Sequence, residues 1–467
     1  MKCVWSIKNS LQKTSSFSWL VIILKIFDYI VQILTFGYFP TLGGDVYELL
    51  DKGLLKFVLD TNVKSNNLYE NIRFGHMSLI LLLDGKLSKK ILLHNVRRGK
   101  IYEQRLVKFF GKGIFTSVDQ NLWSHQRSLI FNVFRMSVLK QITPKLTECM
   151  FKELDDLILK KDHQDLVVIL SIIGLVGFCK TLFGVDVSSS SKNLIEPLNN
   201  ILVFINNSPD PINNHFDESY RKFVHDKKFV HKWMLELITN AKKSKYCLPV
   251  IQQELNNVNL TQQQMIEFVL SIVLGGHETT ARLMLGIIYS VYQNNIIIDK
   301  LNQETTNYMK NHTEYEIDIL YRPYLKNIIR EGARLFPPVW LLSRQAQEDI
   351  KIDEHSFKSG TEFLISPLIF LRDPKIWGYD SENFDPERFD PKIFADSEAS
   401  NLNIPFVIGK ENCPGKKFAE LETAIVISKL FYEYEIKIMD HNLNPMSAGT
   451  FRLTDNLPVK LIKKNIN

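Results

Sequence analysis

A cysteine set between two glycines and run straight into an apolar helix constrains this chain more than any other feature. The segment Phe406-Val-Ile-Gly409-Lys-Glu-Asn-Cys413-Pro-Gly415 leads into the apolar stretch Phe418 to Phe431. A cysteine just before a helix amino terminus has its thiolate stabilised by the macrodipole and by free N–H groups. Gly409 and Gly415 permit tight turns and close backbone approach, so that amides can point at the sulfur. A low-pKa thiolate held this way serves as a nucleophile or as an axial ligand to haem iron. The unreactive alternative is a buried cysteine in a turn.

The remaining cysteines, Cys3, Cys149, Cys179 and Cys247, are scattered, and no two have metal-ligand spacing. Neither a disulfide framework nor a zinc site is implied, and a reducing compartment fits. With 45% hydrophobic and 23% charged residues, the chain can bury a large core and is not disordered. Its net charge of +6 is mild over 467 residues. Together with the lack of a Lys/Arg stripe interleaved with aromatics, this argues against nucleic acid as a partner.

From Pro40 onward there is no linker, internal repeat or low-complexity tract. Tyr69 to His94 alternates short apolar runs with Gly75 and Gly85, which predicts a few strands. Helical periodicity dominates Asp119 to about Asn240, broken at Ser208-Pro209-Asp210-Pro211. Thr261 to Gln264 reads as a capping box opening a helix that reaches about Gln293. A further helix covers Tyr324 to Leu335, stopped by Pro337-Pro338. Short strands fit Lys351 to Ile365, and a last helix fits Gly415 to about Tyr434. The expected fold is mainly α with a minor β region, one large domain over 41–467 after a segment at 1–40.

Common catalytic fingerprints fail. No G-x-G-x-x-G or G-x-S-x-G occurs, and the Gly409 to Lys416 stretch misses the phosphate-loop spacing by one residue. His277-Glu278-Thr279-Thr280 begins like a zinc-protease helix, but Ala281 stands where the second histidine belongs.

The Phe406–Gly415 segment resembles the signature of the cytochrome P-450 family of haem-thiolate monooxygenases, and other segments follow the family's order. Gly275-Gly276-His277-Glu278-Thr279-Thr280 lies mid-helix. There the Thr279 hydroxyl can bond the Gly275 carbonyl and open a groove, while close helix packing is the plainer reason for the two glycines. The resemblance makes Glu278 and Thr279 a proton-relay pair. It joins Glu331 and Arg334 to Arg388, within Asp385-Pro386-Glu387-Arg388-Phe389, in a buried structural cluster. It puts Trp123, Arg127 and Arg344 on haem propionates, and makes Phe406, Gly409 and Gly415 the cradle of a heme b whose iron is ligated by Cys413. His277 reads as packing. The implied function is insertion of one oxygen atom of O2 into an apolar small molecule, with electrons from an NADPH-dependent reductase. A haem-thiolate isomerase or dehydratase, or a degenerate non-catalytic haem-binding protein, are the alternatives.

Three positions depart from the family pattern: Val407 replaces a small residue, Leu371 replaces a histidine, and Glu411 replaces a basic residue. A carboxylate at 411 repels a propionate unless it turns away, is protonated, or is compensated by Lys410. Lys410, Lys416 and Lys417 could attract an acidic reductase surface.

Phe17 to Phe39 is an apolar run of about the length that spans a bilayer, with Lys25, Asp28 and Gln32 on one helical face. It predicts a membrane anchor, as a transmembrane or interfacial helix, and the endoplasmic reticulum as location. The lysines and serines of residues 1–27 leave a mitochondrial presequence as the alternative.

Overall fold

The computed structural model describes residues 54–465 apart from 75–76, 100–105, 108, 118, 160–163, 208–217, 258, 396, 440–442 and 444. The apolar run 17–39, the boundary at 40/41 and the Ser208–Pro211 loop lie outside the described residues. The helices are α1 (Leu54–Lys64), α2 (Gly85–Leu93), α3 (Gln120–Val133), α4 (Met136–Leu159), α5 (Leu166–Phe178), α6 (Ser188–Asn207), α7 (Glu218–Lys243), α8 (Pro249–Leu255), α9 (Gln262–Tyr292), α10 (Asn295–Met309), α11 (Pro323–Leu335) and α12 (Lys416–Glu433). Single helical turns join them. Twelve short strands, β1 (Tyr69–Phe74), β2 (Met77–Leu82), β3 (Val96–Arg98), β4 (Gln164–Asp165), β5 (Leu342–Ala346), β6 (Ile350–Ile352), β7 (His355–Phe357), β8 (Glu362–Ile365), β9 (Tyr434–Ile438), β10 (Met446–Ala448), β11 (Thr450–Arg452) and β12 (Pro458–Lys463), complete the described chain.

α9 begins where its sequence says it should. The Thr261 hydroxyl accepts the Gln264 N–H at 3.2 Å, and the Gln264 side chain accepts the Thr261 N–H at 2.9 Å. This reciprocal box satisfies two amino-terminal donors. α11 starts at Pro323, whose missing N–H is harmless in a first turn, and stops before Pro337. α12 ends where the chain turns into β9.

The helices bury their apolar faces against one another around α9 and α12. α5 is apolar on every side, so no polar face can be turned to water. α4, α6 and α9 pack around it. Leu166–Phe183 is the one stretch among the described helices long and apolar enough to cross a bilayer, and 89% of it is buried within the protein.

A five-stranded sheet, ordered β1-β2-β8-β5-β3, flanks the helices; β2 and β8 are parallel and the other pairs antiparallel. Its register sets Arg98 of β3 directly opposite Arg344 of β5. A three-stranded sheet, β4-β12-β9, and the hairpins β6–β7 and β10–β11 complete the pairing. Tyr69 to His94 holds two strands and then α2, a helix where only strands were expected. Asp84 makes the difference, accepting the Leu87 N–H at 2.7 Å as an N-cap. Gly85 then lets the helix start against Phe370, whose Cβ would stand 2.8 Å from any Cβ at that position.

Candidate active site

The loop ahead of α12 is closed by its own backbone. Cys413 N–H donates to the Phe406 carbonyl at 2.9 Å, and Val407 N–H donates to Ile404. Gly409 has φ +83°, and a Cβ there would lie 2.2 Å from the Leu92 carbonyl oxygen, so only glycine fits. At Gly415 a Cβ would stand 3.9 Å from Cys413 Sγ without clashing. Nothing within the chain itself demands glycine there; its absence of a side chain keeps the sulfur's surroundings clear. Phe406 is partly buried, with Lys416 5.6 Å above its ring.

The Gly415 N–H bonds the sulfur, and Arg127 and Lys416 add positive charge nearby. Burial nevertheless dominates and pushes the Cys413 thiol above its ordinary value. The Gly415 N–H, Arg127 and Lys416 act the other way and favour the thiolate.

Val407 sits at φ +62°, a conformation that is a real outlier for a β-branched residue. The small residue usual in the family is what this backbone favours. Val407→Gly is expected to raise stability by about 1 kcal/mol, read as a higher urea midpoint; an unchanged or lower midpoint would show that Val407's packing outweighs the strain.

Trp123 and Arg127 fall one turn apart on α3, which Asp119 caps through the Asn121 and Leu122 N–H groups. The Arg127 guanidinium lies between the rings of Trp123 and Phe131, at 5.2 and 4.8 Å. It donates to the Asn412 carbonyl at 3.0 Å and to the Asn412 side chain, tying α3 to the cysteine loop. The Trp123 indole N–H is buried with no hydrogen-bond partner among the described residues. A buried donor without an acceptor is costly in a finished core, and here it borders a cluster of cations.

Glu411 has turned to that cluster. Its Oε2 lies 3.2 Å from Arg98 Nε and 3.8 Å from Arg344 Nη2, with all three side chains largely buried. Lys410 is directed elsewhere, 3.4 Å from the Asn95 side chain, so arginines, not Lys410, meet the unexpected carboxylate. Arg98 was missed in the sequence: only the β3–β5 register brings it there. Arg98, Arg127 and Arg344 gather around the Glu411 carboxylate, and this group of guanidiniums near a buried indole N–H suits the carboxylates of a haem. Lys416 and Lys417 are half exposed and pair with Glu420 at 3.9 and 2.9 Å.

On α9 the Thr279 hydroxyl bonds the Gly275 carbonyl at 2.8 Å, and Thr280 does the same to Gly276. Gly275 and Gly276 admit the rings of Phe115 and Phe178, which a Cβ would meet at 2.6 and 2.3 Å; close packing thus accounts for both glycines. His277 is buried, its Nδ1 2.8 Å from the Val273 carbonyl, as a packing residue. Glu278 is locked more firmly than its sequence suggested. Arg282, one turn on, reaches it at 3.0 Å, and Arg452 and Thr450 of β11 at 3.1 and 3.2 Å. Burial opposes its charge, but the two guanidiniums prevail and hold the carboxyl at about 2. Arg452 and Thr450 share one face of β11, and nothing local in the sequence linked them to Glu278.

Glu331, Arg334 and Arg388 come together. Arg334 forks onto Glu331 at 2.7 and 2.8 Å, and its other N–H groups reach the carbonyls of Leu371, Ser381 and Asn383. Glu331 also accepts the Asp385 N–H at 2.9 Å. Arg388 Nε stands 3.6 Å from Glu331, while its outer nitrogens bond the Trp377 and Asp380 carbonyls and the Asp380 carboxylate. The pair is fully buried. Leu371 supplies a carbonyl to this cluster, so its side chain is free to be apolar.

Comparison with known proteins agrees with this architecture. The family model "Cytochrome P-450" matches residues 47–461. A cytochrome P-450-like protein of Acanthamoeba polyphaga mimivirus is 56% identical over 98% of both chains. A cytokinin hydroxylase of Arabidopsis thaliana is 25% identical over 77% of this chain and 74% of its own. A cytochrome P-450 monooxygenase of Penicillium ochrochloron is 26% identical over 50% and 48%. With the family's segments in order and the match running almost end to end, this chain belongs to the cytochrome P-450 family of haem-thiolate oxidoreductases.

Proposed function

We propose that the chain is a monooxygenase that inserts one oxygen atom of O2 into an apolar organic substrate, with electrons from an NADPH-dependent reductase. One observation carries this reading: Cys413 is presented beside a clear glycine, at the head of α12, next to a cluster of guanidiniums and an unpartnered indole N–H. These residues fit a haem. Cys413 would ligate the iron, Phe406, Gly409 and Gly415 would shape the cradle, and Trp123, Arg127 and Arg344 would hold the propionates. When bound, a haem with a thiolate ligand supplies O–O bond cleavage and oxygen transfer.

The chain's own groups position protons and hold the framework. Thr279 donates its hydroxyl proton to the Gly275 carbonyl one turn back. On this reading Glu278 is the acid partner of Thr279 in a proton relay, and Arg282 and Arg452 hold it ionised. Glu331, Arg334 and Arg388 act by holding the loop between α11 and Cys413 in place. Residues 1–40 would attach the enzyme to a membrane, that of the endoplasmic reticulum on this reading. The groove between α6 and α7 is lined by Lys192, Glu196, Arg221 and Asp226. On this reading the substrate is seated on the α9 side, beside Thr279.

The test is the carbon monoxide difference spectrum of the dithionite-reduced protein beside Cys413→Ser. A strongly red-shifted Soret band that the variant loses is the expected result. Folded protein without any haem band would overturn the proposal; a haem band without the red shift would favour a degenerate site.

A further inference from the structure

Arg98 and Arg344 are register partners on β3 and β5, and like charges directly opposite one another in a sheet repel. Both guanidiniums are largely shielded from water, which weakens screening. Arg98 gives an N–H to the Ile114 carbonyl and Arg344 one to the Ser343 carbonyl. Glu411 adds a full opposite charge, with one oxygen shared between the two guanidiniums. Arg127 feels the same carboxylate, which opposes the loss of its proton.

The contact is coulombic and poorly aligned. Although Glu411 Oε2 is buried among these charges, it makes no hydrogen bond of good geometry. A well-formed Arg–carboxylate pair is bidentate at 2.7–2.9 Å, as Arg334 and Glu331 are here. The Glu411 pairing is the kind that another carboxylate can replace.

Building on the haem-binding reading, we propose that Glu411 is an internal stand-in for a haem propionate: it neutralises Arg98 and Arg344 when the cofactor is away and must share them when the cofactor is bound. Its carboxylate quiets the arginine pair in the cofactor-free chain, then lies close to a propionate of the same sign in the loaded one. The chain thereby holds its haem less tightly than its arginines alone would allow, and haem is exchangeable. Glu411 is a positioning residue in this scheme and makes no bond to iron.

The experiment measures the rate at which expressed holoprotein loses haem to an excess of apomyoglobin. Glu411→Gln and Glu411→Ala each remove the charge, and each is expected to slow haem loss about tenfold, the equivalent of one partly shielded charge contact. Arg98→Gln is expected to speed it. The reduced carbon monoxide spectrum should be the same in the wild type and both Glu411 variants, because the thiolate is untouched. Urea midpoints of the cofactor-free variants should fall below that of the wild type. Haem loss from the Glu411 variants that is as fast as, or faster than, that of the wild type would overturn the proposal. If no chain, wild type included, carries haem in folded form, the haem-binding reading fails first and this inference fails with it.

Discussion

Replacing Arg334 with alanine is expected to lower stability by about 3–5 kcal/mol, because it strands a buried charge. Arg334 and Glu331 are both wholly enclosed, so Glu331 would keep its negative charge far from water with only the Asp385 N–H and a more distant Arg388 for company. Burial already pushes the Glu331 carboxyl upward, and losing the guanidinium would push it further. The carbonyls of Leu371, Ser381 and Asn383 would lose their donor as well. Measured against a usual total of about 5–15 kcal/mol, the variant should accumulate poorly and show a much lower urea midpoint. Lys358→Ala provides the contrast. It breaks the exposed Lys358–Asp349 pair, whose distance is a good 2.8 Å, yet such a surface pair contributes little, and the urea midpoint should barely move. A loss below about 1 kcal/mol for Arg334→Ala would mean that the cluster relaxes or admits water, and the structural role given to it would fall.

The second large effect is an acid dependence centred on Glu278. Its carboxyl is held at about 2, against an ordinary 4.5. A carboxyl whose folded pKa is depressed stabilises the fold above its unfolded value. That contribution is therefore complete above about pH 4.5 and drains away as the pH falls towards about 2. A shift of this size corresponds to about 3 kcal/mol. Glu278→Gln should lower the urea midpoint at neutral pH, and the gap between variant and wild type should close as the pH falls through this window. Arg282 and Arg452 add to the neutral-pH loss, since Glu278 is what lies between them. Asp455 offers only partial compensation, at 2.8 Å from Arg452 and 4.0 Å from Arg282. A gap that stays constant from pH 7 to pH 3 would show that the carboxylate is not the source of the effect.

What could be read from the sequence was what short-range chemistry dictates. The Thr261–Gln264 box and the proline at the start of α11 each specify an element's end through its immediate neighbours. The cysteine loop was legible because a fixed spacing of Phe406, Gly409, Cys413 and Gly415 has to satisfy one tight backbone path. α2 was read as strand because Gly85 looked like a break, whereas the deciding residue was the capping Asp84. The electrostatic partners were hidden for a different reason. Arg98 meets Glu411 through sheet register, and Arg452 meets Glu278 across a separation of 174 residues. Neither pairing leaves a local trace, since both depend on which strands lie side by side. At Cys413 the helix terminus is visible in the sequence, whereas the nearby Arg127 charge comes from a distant helix and is not.

The all-round apolarity of α5 has a consequence for how the chain is made. Its covering helix α9 starts at Gln262, more than eighty residues after α5 ends at Phe178. At a synthesis rate of roughly 5–20 residues per second, α5 leaves the ribosome several seconds before α9 exists, with only α4 already made to cover part of it. For that interval the nascent chain displays a segment as apolar as a true membrane span. Sorting machinery that reads hydropathy alone would meet it in competition with the apolar run near the amino terminus. The order in which helices emerge, and not only their final contacts, thus decides whether this segment ends in the protein's interior or is diverted towards lipid.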